Sequence, residues 1–196
     1  MHSFEIKCRS RGRVRELCHI FHRCRGAETY DFSHLEPFTF VVRSQLAKRD
    51  LRVHVTFSTH CFSRAYDNAS HGQGEPIIDQ GTPRPRSFCQ TRYRLSHKLP
   101  TLIKSLEHPK AKVWETAAER NWCYSITVDD PAGPYHVFFE VRRASRERRQ
   151  WQDLNLVVES AYHEDSARTG PRLKGSMVFV LLCGKIYLNQ PTATQR

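Results

Sequence analysis

The chain has 196 residues, 39% hydrophobic and 11% aromatic, a composition that excludes a disordered protein and predicts one globular domain. Thirty-one Lys and Arg residues against 20 Asp and Glu residues leave a net charge of +11, which predicts a polyanionic partner such as nucleic acid or, as the alternative, a basic surface that serves only solubility. No stretch approaches the roughly 18 consecutive apolar residues of a transmembrane helix, and the N-terminus lacks the apolar segment of a secretory signal.

The first 25 residues differ from the rest in charge. Their Lys and Arg side chains face only Glu5 and Glu16, so we predict a basic N-terminal arm at 1–25, frayed or disordered, before a single domain at 26–196. The arm's cysteines and histidines match no standard zinc spacing, and we predict neither a metal nor a cofactor. The whole chain has seven cysteines and no CxxC pair, which predicts reduced thiols in a cytoplasmic protein.

Two strands are predicted before the middle of the chain. Residues 37–44 form the first, and residues 51–60 have the clearest alternation, with His54, Ser58 and His60 on the face away from the core. Residues 67–87 are rich in Gly, Pro, Asn, Asp and Ser, which predicts a long surface loop. The segment 88–95 is predicted to continue as a strand or a turn.

A short helix is predicted next, because Pro100 suits a first helical turn and apolar residues follow at helical spacing until Pro109. The remaining sequence predicts strands, with a turn at 129–134, an arginine-rich connection at 143–153, and a continuous apolar run at 177–183 that is typical of a strand covered on both faces. The predicted strands are 113–115, 122–128, 135–142, 154–162 and 177–183. This order predicts an α+β fold, a mostly antiparallel sheet with one or two short helices packed on it.

The polar face of the strand at 51–60 is a first candidate site. Period-two geometry places His54 and His60 on one side, with Arg64 just beyond the strand. Metal-free RNA cleavage needs two proton-transfer groups and a cation, which two histidines and an arginine can supply. The alternative interpretation is a solvated face of a half-exposed sheet.

A second candidate site lies on the strand pair at 135–142 and 154–162. If the connection folds back as an antiparallel hairpin, Glu159 lies close to His136, and Asn155 lies close to Glu140. The Glu159–His136 pair could act as base and orienting group, or it could be a simple cross-strand ion pair.

The arginine-rich connection is a third candidate, as a surface for phosphate contacts and base stacking on single-stranded RNA or DNA. Such contacts supply affinity rather than sequence specificity. The alternative interpretation is a solvated charged loop between two strands. The residues concerned are Arg142, Arg143, Arg146, Arg148, Arg149 and Trp151.

Four segments resemble a group of bacterial stationary phase growth adaptation proteins, which are often carried on plasmids and prophages. They are Val-His-Val-Thr-Phe-Ser-Thr-His-Cys-Phe (53–62), Arg-Tyr-Arg-Leu-Ser-His-Lys-Leu-Pro (92–100), Tyr-His-Val-Phe-Phe-Glu-Val (135–141) and Leu-Asn-Leu-Val-Val-Glu-Ser-Ala-Tyr (154–162). This resemblance implies a bacterial cytoplasmic origin and no particular activity. The order of elements and the basicity are also similar to the RelE and barnase–colicin class of toxin ribonucleases, whose catalytic motifs have no counterpart here.

Together these features predict a nucleic-acid-targeting protein, with RNA favoured over DNA, acting as a metal-independent ribonuclease of toxin type. The alternative is a non-catalytic module that binds RNA, DNA or an acidic protein such as an antitoxin. A third hypothesis is an accessory protein of a plasmid or phage without a nucleic-acid role. The chain lacks P-loop, Rossmann, HExxH and GxSxG motifs, so the sequence does not support nucleotide triphosphate chemistry or zinc hydrolysis.

Overall fold

A seven-stranded sheet organises the fold in the computed structural model, which describes residues 4–5, 28–66, 85–118, 121–165 and 170–194. The strands in chain order are β1 (Phe4–Glu5), β2 (Glu28–Thr29), β3 (Phe38–Ser44), β4 (Arg49–Phe57), β5 (Ser63–Ala65), β6 (Arg86–Phe88), β7 (Lys112–Thr116), β8 (Asn121–Asp129), β9 (Ala132–Arg143), β10 (Leu154–His163) and β11 (Leu173–Val178). The helices are α1 (Gln90–Ser96), α2 (Leu99–Ser105) and α3 (Phe179–Tyr187), with 3-10 turns at Ser33–Leu35, Thr59–Cys61 and Arg146–Arg148.

The large sheet has the strand order β11-β7-β8-β9-β10-β4-β3 and is mixed. Strands β4 and β10 run parallel, with Val53 opposite Leu154, and every other neighbouring pair of this sheet is antiparallel. The predicted α+β class is therefore confirmed, while the sheet is mixed and the described residues form three helices instead of the predicted one or two. Two small pairs, β1 with β2 and β5 with β6, lie outside this sheet.

The two faces of the sheet differ in polarity because side chains alternate along each strand. One face carries Val55, Val137 and Phe139, all fully buried, and packs against Leu99 of α2 and Leu182 of α3 in one apolar cluster. The other face carries polar side chains, and we call it the polar face. It includes His54 on β4 and His136 and Glu140 on β9.

Two predicted elements are wrong in type. The segment 88–95, predicted as a strand or a turn, forms most of α1, in which Arg92 and Leu95 are buried at helical spacing. The apolar run 177–183 is mostly α3, in which Phe179, Leu182 and Cys183 are buried and Leu181 is 41% exposed. A short run in which nearly every residue is apolar has no readable period, so a strand and a helix look alike in sequence.

Two other predictions fall largely outside the described residues. The basic arm at 1–25 is described only at Phe4–Glu5, where β1 pairs with β2, so its order stays a prediction. The predicted loop at 67–87 is described only at its end, where β6 begins. None of the helices in the described ranges has the length and hydrophobicity of a transmembrane segment. The cytoplasmic location stays a prediction.

Helix α3 lies close to the end of β3 and the β3–β4 turn at Gly184. A Cβ atom there would lie 2.5 Å from Ser44 Oγ and 3.1 Å from Leu46 Cβ. We therefore expect Gly184→Ala to lower the free energy of unfolding by about 1–3 kcal/mol, although glycine-to-alanine changes usually stabilise helices. Urea denaturation measures the change. Because Ser44→Ala removes the nearest atom, the double variant should lose less stability than the sum of the single variants.

Candidate functional site

Eight arginines gather at one end of the large sheet, which we call the arginine end. The antiparallel β3–β4 and β9–β10 pairs and the parallel β4–β10 pair bring the end of β3, the start of β4, the end of β9 and the start of β10 together. The 144–153 connection closes the same end. The arginine end comprises Arg43, Arg49, Arg52, Arg142, Arg143, Arg146, Arg148 and Arg149.

Asp153 fixes the arginine-rich connection to β4. Its Oδ2 accepts from the backbone N–H of Arg52 (2.8 Å) and from Arg52 Nε (3.1 Å), and its own N–H donates to the Arg52 carbonyl (2.8 Å). The Arg52 guanidinium also donates to the carbonyls of Gln150 (2.7 Å) and Arg149 (2.9 Å). Burial alone would raise the pKa of Asp153, but the hydrogen bonds and charges of Arg52 and Arg49 lower it overall. These contacts therefore fix the 144–153 connection against β4.

Other arginines of this end are held over an aromatic ring or by an acid. Arg49 Nη1 donates to the Tyr187 hydroxyl (2.9 Å), and the guanidinium groups of Arg49 and Arg143 lie 5.2 and 5.3 Å from the Tyr187 ring centre. Arg142 pairs with the buried Glu140 at 2.6 Å while its own side chain stays 65% exposed. These contacts orient the guanidinium groups and leave exposed donors for another anion.

An exposed indole lies among these arginines. Trp151 is 47% exposed and meets the His54 ring edge to face, with ring centres 5.1 Å apart. His54 Nδ1 is 3.1 Å from Thr39 Oγ1. Burial, together with the charge of Arg148, lowers the pKa of His54. His54 is therefore neutral at physiological pH and belongs to the same end as the six predicted nucleic-acid-binding residues.

The other members of the first candidate site lie elsewhere. Strand β4 ends at Phe57, because Ser58 starts a 3-10 turn and its Oγ accepts from the His60 N–H (3.1 Å). His60 is exposed on that turn, and Arg64 lies on β5, which pairs with β6. The prediction of one strand face for His54 and His60 is wrong for this reason, and their catalytic roles stay predictions.

His136 on β9 contacts two groups that the sequence reasoning did not select. Its Nδ1 is 2.7 Å from Ser125 Oγ on β8, and its Nε2 is 2.6 Å from Glu164 Oε1, just after β10. Cys123 Sγ lies 3.4 Å from Ser125 Oγ. His136 is 6% exposed and Ser125 is half-buried. The polar face thus carries a continuous hydrogen-bonded row of titratable and nucleophilic groups.

Glu159 does not contact His136, which corrects the predicted pair. A register shift between Val158 and Ser160 brings Tyr162 opposite His136 and leaves Glu159 to accept from Asn121 Nδ2 (2.8 Å). Asn155 lies opposite Arg142 rather than Glu140. A bulge of this kind inserts one residue and changes the face of every residue beyond it.

The pairing of Ser125 with His136 could have been predicted from the sequence. The turn signal at 129–134 contains the two-residue turn Asp130-Pro131, and counting back from it places Ser125 opposite His136, as the structure has it. The contact of Glu164 with His136 could not have been predicted in this way, because Glu164 lies beyond the bulge in β10. The contact of Asp153 with Arg52 has no local sequence signal, because the two residues lie 101 residues apart in the chain.

Comparison of the sequence with known proteins identifies the family of this chain. Protein YjaZ of Escherichia coli (strain K12) is 29% identical over 144 residues, which cover 73% of this chain and 76% of that protein. No solved structure matches significantly. The YjaZ family model matches residues 19–187. This match corrects both resemblances, the one to stationary phase growth adaptation proteins and the one to RelE or barnase–colicin ribonucleases. Alternating strand segments, element order and basicity are common to many unrelated proteins. The match spans most of the sequence, and the chain therefore belongs to the YjaZ family.

Proposed function

We propose that the protein binds single-stranded RNA through the arginine end and Trp151. The observation that supports this proposal is the convergence of eight arginines and an exposed indole on one end of the sheet. Guanidinium groups suit phosphate oxygens, and an exposed aromatic ring suits an unpaired base. Duplex nucleic acid keeps its bases stacked inside and offers Trp151 no such partner.

The acidic residues nearby offset only part of this charge, since the eight arginines face four acids, Asp50, Glu140, Glu147 and Asp153, and a net charge of +4 remains. Glu140 and Asp153 are buried and already paired with Arg142, Arg49 and Arg52. Asp50 forms an exposed ion pair with Arg43. The guanidinium groups on the connection therefore add up to a positive surface, which attracts polyanions.

Removing three exposed arginines of this end should weaken RNA binding. We expect Arg143→Ala/Arg146→Ala/Arg149→Ala to lower affinity for a fluorescent single-stranded RNA by about tenfold or more, because counterion release is lost with each phosphate contact. The slope of log K against log salt should fall by about 2, at roughly 0.7 per contact for a single strand. Fluorescence anisotropy over a salt series measures both quantities.

A matched control removes three charges from elsewhere. Lys98, Lys110 and Lys112 are exposed; Lys112 begins β7 at the opposite end of the sheet, Lys110 just precedes it, and Lys98 lies between α1 and α2. The variant Lys98→Ala/Lys110→Ala/Lys112→Ala should keep nearly all affinity and slope. Equal losses in both triple variants would contradict a localised site. Binding to an acidic polypeptide but not to RNA would assign the same end to a protein partner.

Trp151→Ala separates stacking from charge in the same assay. We expect it to weaken single-stranded RNA binding by roughly 1–3 kcal/mol without changing the salt slope. Ribonuclease activity stays a prediction and is measured on the same samples, as cleavage of the RNA in EDTA. Cleavage that is lost in His54→Ala, His60→Ala or His136→Ala would add catalysis to binding.

A further inference from the structure

The hydrogen bonds between Ser125, His136 and Glu164 on the polar face have defined donors and acceptors. An ionised carboxylate only accepts hydrogen bonds, so the 2.6 Å contact with Glu164 requires the proton on His136 Nε2. Nδ1 of the neutral ring then carries the lone pair, and the 2.7 Å contact requires the Ser125 hydroxyl to donate to it. Glu164 thus holds the tautomer in which His136 can take the proton of Ser125.

We propose that Ser125 is a catalytic nucleophile for carboxylic esters, with His136 as its general base and Glu164 as the positioning residue of the imidazole. The hydroxyl contacts the imidazole and the imidazole contacts the carboxylate, as in the catalytic triad of serine hydrolases. Here Nδ1 faces the serine and Nε2 faces the carboxylate, which is the reverse of the usual triad. Either ring nitrogen can accept the hydroxyl proton, so the proton transfer is the same. This site is independent of the proposed RNA-binding end.

The hairpin β8–β9 and the end of β10 place the three groups. Ser125 and His136 are directly opposed in the antiparallel register, and Glu164 is fixed by its N–H donating to the Pro134 carbonyl (3.0 Å). Both the base and the nucleophile therefore sit on strands, which hold side chains more rigidly than loops. Glu164 has a side chain 30% exposed, and Ser125 is half-buried.

The neighbouring thiol is a donor and not the nucleophile. Burial raises the pKa of Cys123 to about 11, so the thiol stays protonated at neutral pH. Since the Ser125 proton points to His136, the 3.4 Å contact has the thiol donating to Ser125 Oγ. Cys123 therefore helps to fix the orientation of the hydroxyl.

Aromatic side chains surround the site and indicate the class of substrate. Tyr162 lies opposite His136, stacks on Phe138 with ring centres 5.3 Å apart and meets the His136 ring at 5.6 Å. Trp114 is opposed to Cys123 on the next strand. A flat or apolar acyl group would contact these rings while its carbonyl carbon faces Ser125 Oγ.

The reaction has two balanced steps. Ser125 Oγ attacks the ester carbonyl and forms a C–O bond while His136 Nδ1 takes the hydroxyl proton; the alcohol then leaves with that proton, and an acyl-serine remains. Water attacks the acyl-serine in the same way, again giving its proton to His136. This releases the carboxylic acid and returns the proton to Ser125.

Covalent labelling with a fluorescent fluorophosphonate tests the proposal. We expect time-dependent labelling of the full chain, mapped to Ser125 by peptide mass spectrometry, and turnover of p-nitrophenyl phenylacetate. Both should disappear in Ser125→Ala and fall by about 100-fold or more in His136→Gln. Ser105→Ala is the matched control, because Ser105 is exposed at the end of α2, which packs on the opposite face of the sheet, and this variant should keep the full rate.

Glu164→Gln keeps the assignment testable even if a His136 variant fails to fold. The neutral amide of this variant would no longer stabilise the protonated imidazole, so labelling should slow and the midpoint of its pH profile should move to lower pH. Wild-type protein that is folded but unlabelled at Ser125, or labelling unchanged in folded Glu164→Gln, would overturn the proposal. Turnover of p-nitrophenyl phosphate without turnover of carboxylic esters would overturn the substrate class.

Discussion

Truncation of Leu182 to alanine should lower the free energy of unfolding by about 2–5 kcal/mol, which is the range for buried leucines. Leu182 is fully buried in the cluster where α3 packs on β3 and β9. Phe179, three residues earlier on the same helical face, stacks on Phe40 and meets Phe139 edge on. Alanine would leave a cavity between these groups. Equilibrium denaturation in urea measures the loss.

The adjacent leucine is the control. Leu181 points away from the sheet and is 41% exposed, so Leu181→Ala should change stability by less than about 0.5 kcal/mol. A strand covered on both faces would make both substitutions costly. Equal large losses would therefore contradict the helical assignment of this segment, and a large difference would support it.

Replacing Asp153 with alanine should lower the free energy of unfolding by about 2–3 kcal/mol, because hydrogen bonds from charged donors are lost and the Arg52 N–H loses its partner. Asp153 is 5% exposed, and its carboxylate accepts from the backbone and side chain of Arg52 and from Arg49. Its loss should also loosen the connection that carries Arg146 and Arg149. Urea denaturation gives the stability, and hydrogen exchange over 144–153 gives the local effect.

The cost of Asp153→Ala should depend on pH. The pKa of Asp153 is lowered in the folded protein, so its contribution is full above the ordinary value of 3.8 and is lost as the pH falls below it. Wild type and variant should therefore converge in acid. Asp50→Ala is the matched control, because the Asp50–Arg43 pair is exposed and should contribute at most about 1 kcal/mol. A pH-independent difference would contradict the role of the carboxylate charge.

The strands were predictable where one face is buried and the other is not. Alternation at 51–60 and 135–142 predicted β4, which ends at Phe57, and β9, and Pro100 with its leucines predicted α2. Residues 88–95 and 177–183 were misread because tertiary packing, rather than a period visible in sequence, decides their conformation. The parallel β4–β10 pair also has no local signal, since strand order is set across the whole sheet.

The candidate sites were predictable only in part, for the same physical reason. Arg142 to Arg149 and Trp151 are close in sequence and remain close in space, so composition alone selected them. The partner of His136 could not be predicted from strand counting on β10, because the bulge after Val158 shifts the register there. Across the tight β8–β9 turn the count holds, and Ser125 follows from it.

The parallel seam between β4 and β10 has a consequence for biosynthesis. The β3–β4 hairpin leaves the ribosome roughly 100 residues before the strand that it joins, as the 101-residue separation of Arg52 and Asp153 illustrates. Until β10 emerges, one edge of β4 has no neighbour, and exposed edges of this kind invite pairing with other chains. Docking of the β3–β4 hairpin onto the later strands β7–β10 should therefore be the slow step of folding. The Arg52–Asp153 contacts should form in the same step.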